Sequence, residues 1–316
     1  MSKCFKFQPA PWLPFRDTEV MDRVRSMTRE EMVNFKHENP DFKVKIVYDS
    51  RFYFVTDLYN RIRMSDKENK KLTVILPNPC VAEYISLTEV LNKYNVSCRN
   101  LHVFFMDEYA DENNNVAPLT YIASKGRSFK KYFYDRLKPE LRPPENQIHY
   151  FTTENVANYS DMIEECGEGG ADVMYSSVGW SGRIATIEPS DDFKADSIEE
   201  YVKLGSRVVT PLPETIAEDS LMGIFGCSGD VANVPPKAAT IGPRDVANAR
   251  YHVEVQHRGP AAMETSWQRL ISRIMLYGPV TMEVPASILR LYKGVCYVSE
   301  GIAKPIVLPP DKNPLE

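Results

Sequence analysis

Apolar and polar positions along this chain follow two periods in turn. Val44, Ile46 and Tyr48 alternate with polar neighbours after Asn39-Pro40, which predicts a strand. Phe54, Leu58 and Ile62 then recur at helical spacing. The β-branched run Leu72-Thr73-Val74-Ile75-Leu76 predicts a second strand stopped by Pro77, with a helix over Val81–Tyr94 behind it. Leu101-His102-Val103-Phe104-Phe105 is a nearly unbroken apolar run, as in a strand buried on both faces. Another run, Ala171-Asp172-Val173-Met174-Tyr175, follows the turn Gly167-Glu168-Gly169-Gly170. Strands alternating with helices predict an α/β fold: one open, mostly parallel, doubly wound (Rossmann-like) sheet with helices on both faces.

The pattern also predicts the domain organisation. Residues 1–41 read as an N-terminal extension, with Pro9, Pro11 and Pro14 excluding regular structure before Thr28-Arg29-Glu30-Glu31 caps a short helix. Residues 42–303 form a single α/β domain, and 304–316 are a C-terminal tail expected to fray around Pro309, Pro310 and Pro314.

Composition narrows the function classes. The 316 residues are 43% hydrophobic and 26% charged, which fits a soluble globular chain and excludes collagen, coiled coil and wholesale disorder. The net charge of −5 speaks against a nucleic-acid partner, which would call for a basic face. No window of 18 apolar residues predicts a membrane span, and Met1–Lys6 lacks a signal-peptide apolar run, so a cytoplasmic protein is expected. The six cysteines are scattered without CxxC spacing, which predicts free thiols rather than disulfides or a metal site. No cofactor is expected.

In an open parallel sheet ligands bind at the carboxyl ends of strands, and three predicted strand exits carry polar residues. Pro77-Asn78-Pro79-Cys80 enters a helix and reads either as an anion cradle at a helix N-terminus or as a rigid connection. Asp107 and Glu108 follow the buried strand directly, and read either as partly desolvated acids fit for general-base work or as the start of a solvated acidic loop. Ser176 through Glu188-Pro189 holds Gly179 and Gly182 around Trp180 and Ser181, a tight turn able to bring backbone close to a ligand. Arg183 then offers a planar cationic fork for an anion, or neutralises a nearby acid.

Taken together, Met106-Asp107-Glu108-Tyr109, Gly169-Gly170-Ala171-Asp172, Val178-Gly179…Gly182…Ile184-Ala185…Glu188-Pro189, Ala238-Ala239-Thr240-Ile241-Gly242 and Gly278-Pro279-Val280-Thr281-Met282-Glu283 resemble the glucosamine-6-phosphate isomerase/deaminase family, whose fold 6-phosphogluconolactonases share. The resemblance runs from about residue 42 to 300. It implies that Asp107 is the base that moves a proton between C1 and C2 of an open-chain sugar. The family's ring-opening Asp, His and Glu fall on Ser181, Arg183 and Glu188, so only the glutamate is kept. Arginine does not shuttle protons as histidine does, so weak or absent glucosamine-6-phosphate deamination is expected. The phosphate loop falls on Pro77–Ala82 without its glycines, leaving Asn78, Lys237, Arg207 and Arg244 as candidate anion ligands.

Asp107, Glu188 and Glu108 are thus the candidate catalytic residues. Asn78, Trp180, Ser181, Gly182, Arg183, Lys237 and Arg207 are candidates for binding a sugar or sugar phosphate. Three readings follow: an active enzyme with altered substrate, a sugar-binding or regulatory relative without turnover, and a lactonase-like hydrolase. A homo-oligomer fits the resemblance as well.

Overall fold

The computed structural model describes residues 7–256 and 268–306; the tail prolines Pro309, Pro310 and Pro314 lie outside the described residues, as do Met1–Lys6. The described residues form ten strands: β1 (Phe42–Val47), β2 (Leu72–Leu76), β3 (Leu101–Phe105), β4 (Asp107–Ala110), β5 (Ile148–His149), β6 (Val173–Ser176), β7 (Arg207–Val209), β8 (Lys237–Thr240), β9 (His252–Gln256) and β10 (Gly294–Ser299). Seven form one sheet in the order β1-β10-β9-β6-β2-β3-β5. Every pairing in it is parallel, in line with the expected α/β architecture.

Side-chain alternation along β3 shows that helices cover both faces. Phe104 points to one side and meets Tyr159 of the helix Tyr159–Cys166, edge to face at 5.5 Å. Phe105 points to the other and meets Phe129 of the helix Lys125–Tyr132 at 5.1 Å, beside Tyr84 of the helix Val81–Tyr94. The predicted helix behind Pro77 keeps its bounds, and it ends because Asn95 takes the left-handed conformation (φ 50°) that asparagine tolerates. Asn69 (φ 52°) stops the helix Ser50–Glu68 in the same way. Among the described residues no helix is long and apolar enough to cross a membrane.

Two features depart from the reading of the sequence. Of the two readings of Asp107 and Glu108, the desolvated acids hold and not the solvated loop, but the segment forms a strand that was not expected. It is strand β4 of a second, antiparallel sheet in the order β4-β8-β7, with all four residues buried. In addition, a helix spans Thr18–Ser26 ahead of the expected one at Arg29–Asn34, with Asp17 accepting from Val20 N and Thr28 forming the capping box. Met21, Val24 and Met32 of these helices are buried. Arg273, fully buried in the helix Gln268–Tyr277, donates to the carbonyls of Val24, Met27, Ala303 and Lys304 at 2.7–2.9 Å and so ties the N-terminal helices to the domain.

From β2 the chain builds β3 and β5 on one side, then β6, β9 and β10 on the other, with β1 at the far edge beside β10. The carboxyl ends of β2, β3 and β6 therefore meet where the strand order reverses, the place at which such sheets hold ligands.

Candidate active site

The loop after β6 is anchored from below. Buried Glu254 on β9 accepts from Val178 N at 2.7 Å and from the Ser176 hydroxyl. Burial raises its carboxyl to about 7, against the opposing pull of these hydrogen bonds. Gly182 then takes φ +87°, which favours glycine, and a Cβ on Gly179 would stand 2.5 Å from Arg183 Cγ. The missing side chain at Gly179 is what lets Arg183 fold back against its own loop. Ala185, at φ 53°, holds a strained backbone that turns its carbonyl to accept from Arg183 Nη1.

Two linked polar clusters result. In the first, Asp107 Oδ2 accepts from Thr186 Oγ1 at 2.6 Å and pairs with Lys125 Nζ at 2.8 Å, both charged side chains being 5% exposed. The Lys125 ammonium also lies 4.8 Å from the centre of the Tyr109 ring. In the second, Arg183 Nη2 approaches Glu218 Oε2 at 3.4 Å and Asp219 Oδ1 at 3.5 Å. Trp180 N donates to Glu218 and the Tyr109 hydroxyl to Asp219, each at 2.9 Å. Glu188 closes the group, accepting from Ser181 Oγ at 2.6 Å and from Leu212 N at 3.3 Å.

Electrostatics follow from burial. Burial opposes the Arg183 charge, but Glu218, Asp219, Glu188 and Asp107 outweigh it and hold the guanidinium above its ordinary range. Burial raises Glu188 and Glu218, with Arg183 pulling each back. A concavity of about 620 Å³ opens beside this cluster, between Trp12 and Arg16 of the N-terminal segment and Pro189, Leu212 and Glu283. Its wall residues Pro189 and Leu212 adjoin and touch Glu188.

No family model matches this chain. Glucosamine-6-phosphate deaminase of Lachnoclostridium phytofermentans is 26% identical over 234 residues, covering 72% of this chain and 85% of that protein. Glucosamine-6-phosphate deaminase of Caenorhabditis elegans is 26% identical over 223 residues, covering 67% and 71%. Among solved structures, a monomeric glucosamine-6-phosphate deaminase superposes with a TM-score of 0.62 at 19% identity over 83% of this chain and 98% of its own. The 6-phosphogluconolactonase of Thermotoga maritima superposes with a TM-score of 0.56 at 17% identity over 82% and 100%. The sequence motifs, the relatives and the shared fold agree. This chain resembles the glucosamine-6-phosphate isomerase/deaminase family in sequence and in fold.

With the family's pattern in view, the structure gathers Asp107, Trp180, Ser181, Gly182, Arg183 and Glu188 at one end of the sheet. Asn78 sits at the adjoining end of β2, where Met106 N bonds Leu76 O at 3.1 Å, and its amide Oδ1 and Nδ2 are shielded from solvent without a partner. Glu108 faces away from Asp107. It accepts from Tyr109 N, Lys125 N, Ser124 Oγ and Gly126 N at 2.8–3.0 Å, capping the helix Lys125–Tyr132. Lys237 opens β8 three residues from Thr240, the partner of Asp107, so roughly 10 Å along the strand. It donates to Asn114 there. Arg207 donates to the Asp192 carbonyl at 2.6 Å and lies over the Phe193 ring, and Arg244 pairs with Glu164 and Asp161. None of these three cations reaches the cluster.

The sequence reading missed Lys125, Thr186, Tyr109, Glu218 and Asp219. Lys125 lies eighteen residues beyond Asp107, within a stretch with no visible period. Glu218 and Asp219 carry no motif in the sequence, and it is the packing of the helix Pro213–Ser220 that buries them.

Glu254 makes a testable pH prediction. Its folded pKa is about 7 against 4.5 for the free group, so between those values the folded state holds a proton that the unfolded state has lost. Stability should therefore fall as pH rises from 4.5 to 7, by about 3 kcal/mol from this group. Glu254→Gln, which keeps the shape, should be more stable than wild type at pH 8 and lose that advantage at pH 4.5. Urea denaturation at the two pH values reads the crossover; a constant difference would contradict it.

Proposed function

We propose that this protein acts on a sugar or sugar phosphate in carbohydrate metabolism, moving a proton between neighbouring carbons of the open-chain form with Asp107 as base. The observation that carries this reading is the Asp107 carboxylate, buried at a strand end beside the reversal point, oriented by Thr186 Oγ1 at 2.6 Å and backed by the Lys125 ammonium at 2.8 Å. In the step, Asp107 takes the proton from C2 as its electrons form the C1–C2 double bond and the carbonyl oxygen gains charge. The neighbouring ammonium stabilises that developing enediolate. A proton passes from the O–H or N–H on C2 to the C1 oxygen, and Asp107 returns its proton to C1 as the C1–C2 double bond collapses to a C2 carbonyl or imine. Ring opening needs a proton donor that Arg183 does not supply. Glu188, raised by burial and bonded to Ser181 Oγ, is the donor of this scheme.

Charge points to the preferred substrate. In this cluster, among the described residues, the acids Asp107, Glu188, Glu218 and Asp219 are buried with two cations, Lys125 and Arg183. A ligand bearing an ammonium offsets that surplus, whereas a phosphate finds Lys237, Arg207 and Arg244 engaged elsewhere. A melting-temperature panel of glucosamine, glucosamine 6-phosphate, glucose 6-phosphate and 6-phosphogluconate tests this. The two amino sugars should stabilise, by about 2.7 kcal/mol at a hundred times the dissociation constant. Stabilisation by the non-amino phosphates alone would overturn it.

One observation favours a second reading, binding without turnover. Lys125 and Thr186 both engage Asp107 Oδ2, so one of the two carboxylate oxygens is already taken up in a fixed ion pair. Lactone hydrolysis is less well supported, because a buried guanidinium offers no base to activate water.

A further inference from the structure

Three residues far apart in sequence converge at the opposite, amino end of the sheet. Thr73 of β2 is the register partner of His102, and Phe104 that of His149. Residues two apart on a strand share a face, so Thr73, His102 and His149 stand together on one side. Cys166, the last residue of the helix Tyr159–Cys166, closes over them with Sγ 3.7 Å from Thr73 Oγ1. A ring nitrogen from each histidine and the Cys166 Sγ all lie within 4.8 Å of one another. The two imidazoles are nearly parallel, 13° apart. His102 Nδ1 and His149 Nε2 are shielded from solvent and have no hydrogen-bond partner.

We propose that His102, His149 and Cys166 form a binding site for a borderline-soft divalent cation, with Zn²⁺ as the fitting ion. Two imidazole nitrogens and one thiolate suit tetrahedral zinc with a fourth position left to water, whereas Ca²⁺ and Mg²⁺ call for oxygen ligands. Ligand atoms across tetrahedral zinc stand about 3.5 Å apart, so the widest separation must close by about 1 Å through side-chain rotation. All three residues are half-buried. On binding, the Cys166 thiol gives up its proton to solvent as the sulfur–zinc bond forms. The absence of CxxC spacing hid this site from the sequence, because the parallel register of β2, β3 and β5 assembles it. Asp107 lies beyond the far end of β3, so the ion clips β3, β5 and the covering helix rather than taking part in sugar chemistry.

The full-length protein is titrated with Zn²⁺ against a chromophoric chelator and with Co²⁺ by absorbance. One ion per chain is expected, with a thiolate-to-cobalt charge-transfer band in the near ultraviolet and a raised melting temperature. Cys166→Ser and His149→Gln should each weaken Zn²⁺ by at least ~100-fold, more than the ~10–100-fold that losing a mere orienting partner costs. Cys166→Ser should also abolish the cobalt band. Cys227→Ser, which removes an exposed thiol, should bind as wild type. Unchanged Zn²⁺ affinity in Cys166→Ser and His149→Gln, or no thiolate band in the wild type, overturns the proposal.

Discussion

Replacing Arg183 by methionine should lower folding stability by about 3–5 kcal/mol, the cost of removing one partner from a buried charge cluster. Arg183 is buried with Glu218 and Asp219 at 3.4 and 3.5 Å, and Glu188 and Asp107 add to its field. Without the guanidinium those carboxyls have only Lys125 as a buried counter-charge. The loss should shrink as pH falls, because burial already raises Glu188 and Glu218 and protonation removes the repulsion. Arg183→Lys keeps the charge but not the two-pronged reach, and should cost less than methionine. Urea denaturation of the three proteins at pH 5 and pH 8 checks the order. Equal stability of Arg183→Met and wild type at pH 8 would show that Arg183 does not hold the cluster together.

Legibility of the chain followed the range of the forces involved. The helix Val81–Tyr94 and the strand Leu101–Phe105 were readable because Pro77 and an unbroken apolar run are local signals. Strand β4 was not, because two adjacent acids in Asp107-Glu108-Tyr109-Ala110 left the segment open between buried acids and a solvated loop. Its burial rests on β8, about 130 residues away, and on the capping role of Glu108. At the site, Asp107, Ser181, Arg183 and Glu188 could be named because they share one recognisable set of motifs. Arg183 was left open between an anion ligand and a neutraliser of acids. The structure shows it against Glu218 and Asp219, two residues that no short motif ties to it. Lys237 and Arg207 were named for their charge alone, and each is engaged outside the cluster.

Asp107→Asn should reduce turnover by about 10²–10⁴-fold, the usual contribution of a positioned base. Asparagine keeps an oxygen to accept from Thr186, so the loop can hold its shape while the base is lost. It also leaves Lys125 buried without its counter-ion, which should destabilise the fold. The double change Asp107→Asn with Lys125→Met removes both charges and should recover part of that stability but none of the activity. Rates are therefore to be compared per folded molecule. Recovery of turnover in the double variant would remove Asp107 from the proton transfer.

The most direct measurement is deuterium exchange at C2 of glucosamine and glucosamine 6-phosphate in heavy water, followed by proton NMR, because it reads the proton transfer whether or not ammonia is released. Wild type should wash out the C2 proton of at least one of the two sugars, and Asp107→Asn should do so at least ~100-fold more slowly. Exchange in the variant at the wild-type rate, or no exchange of either sugar by wild type above the uncatalysed background, would contradict Asp107 as the base.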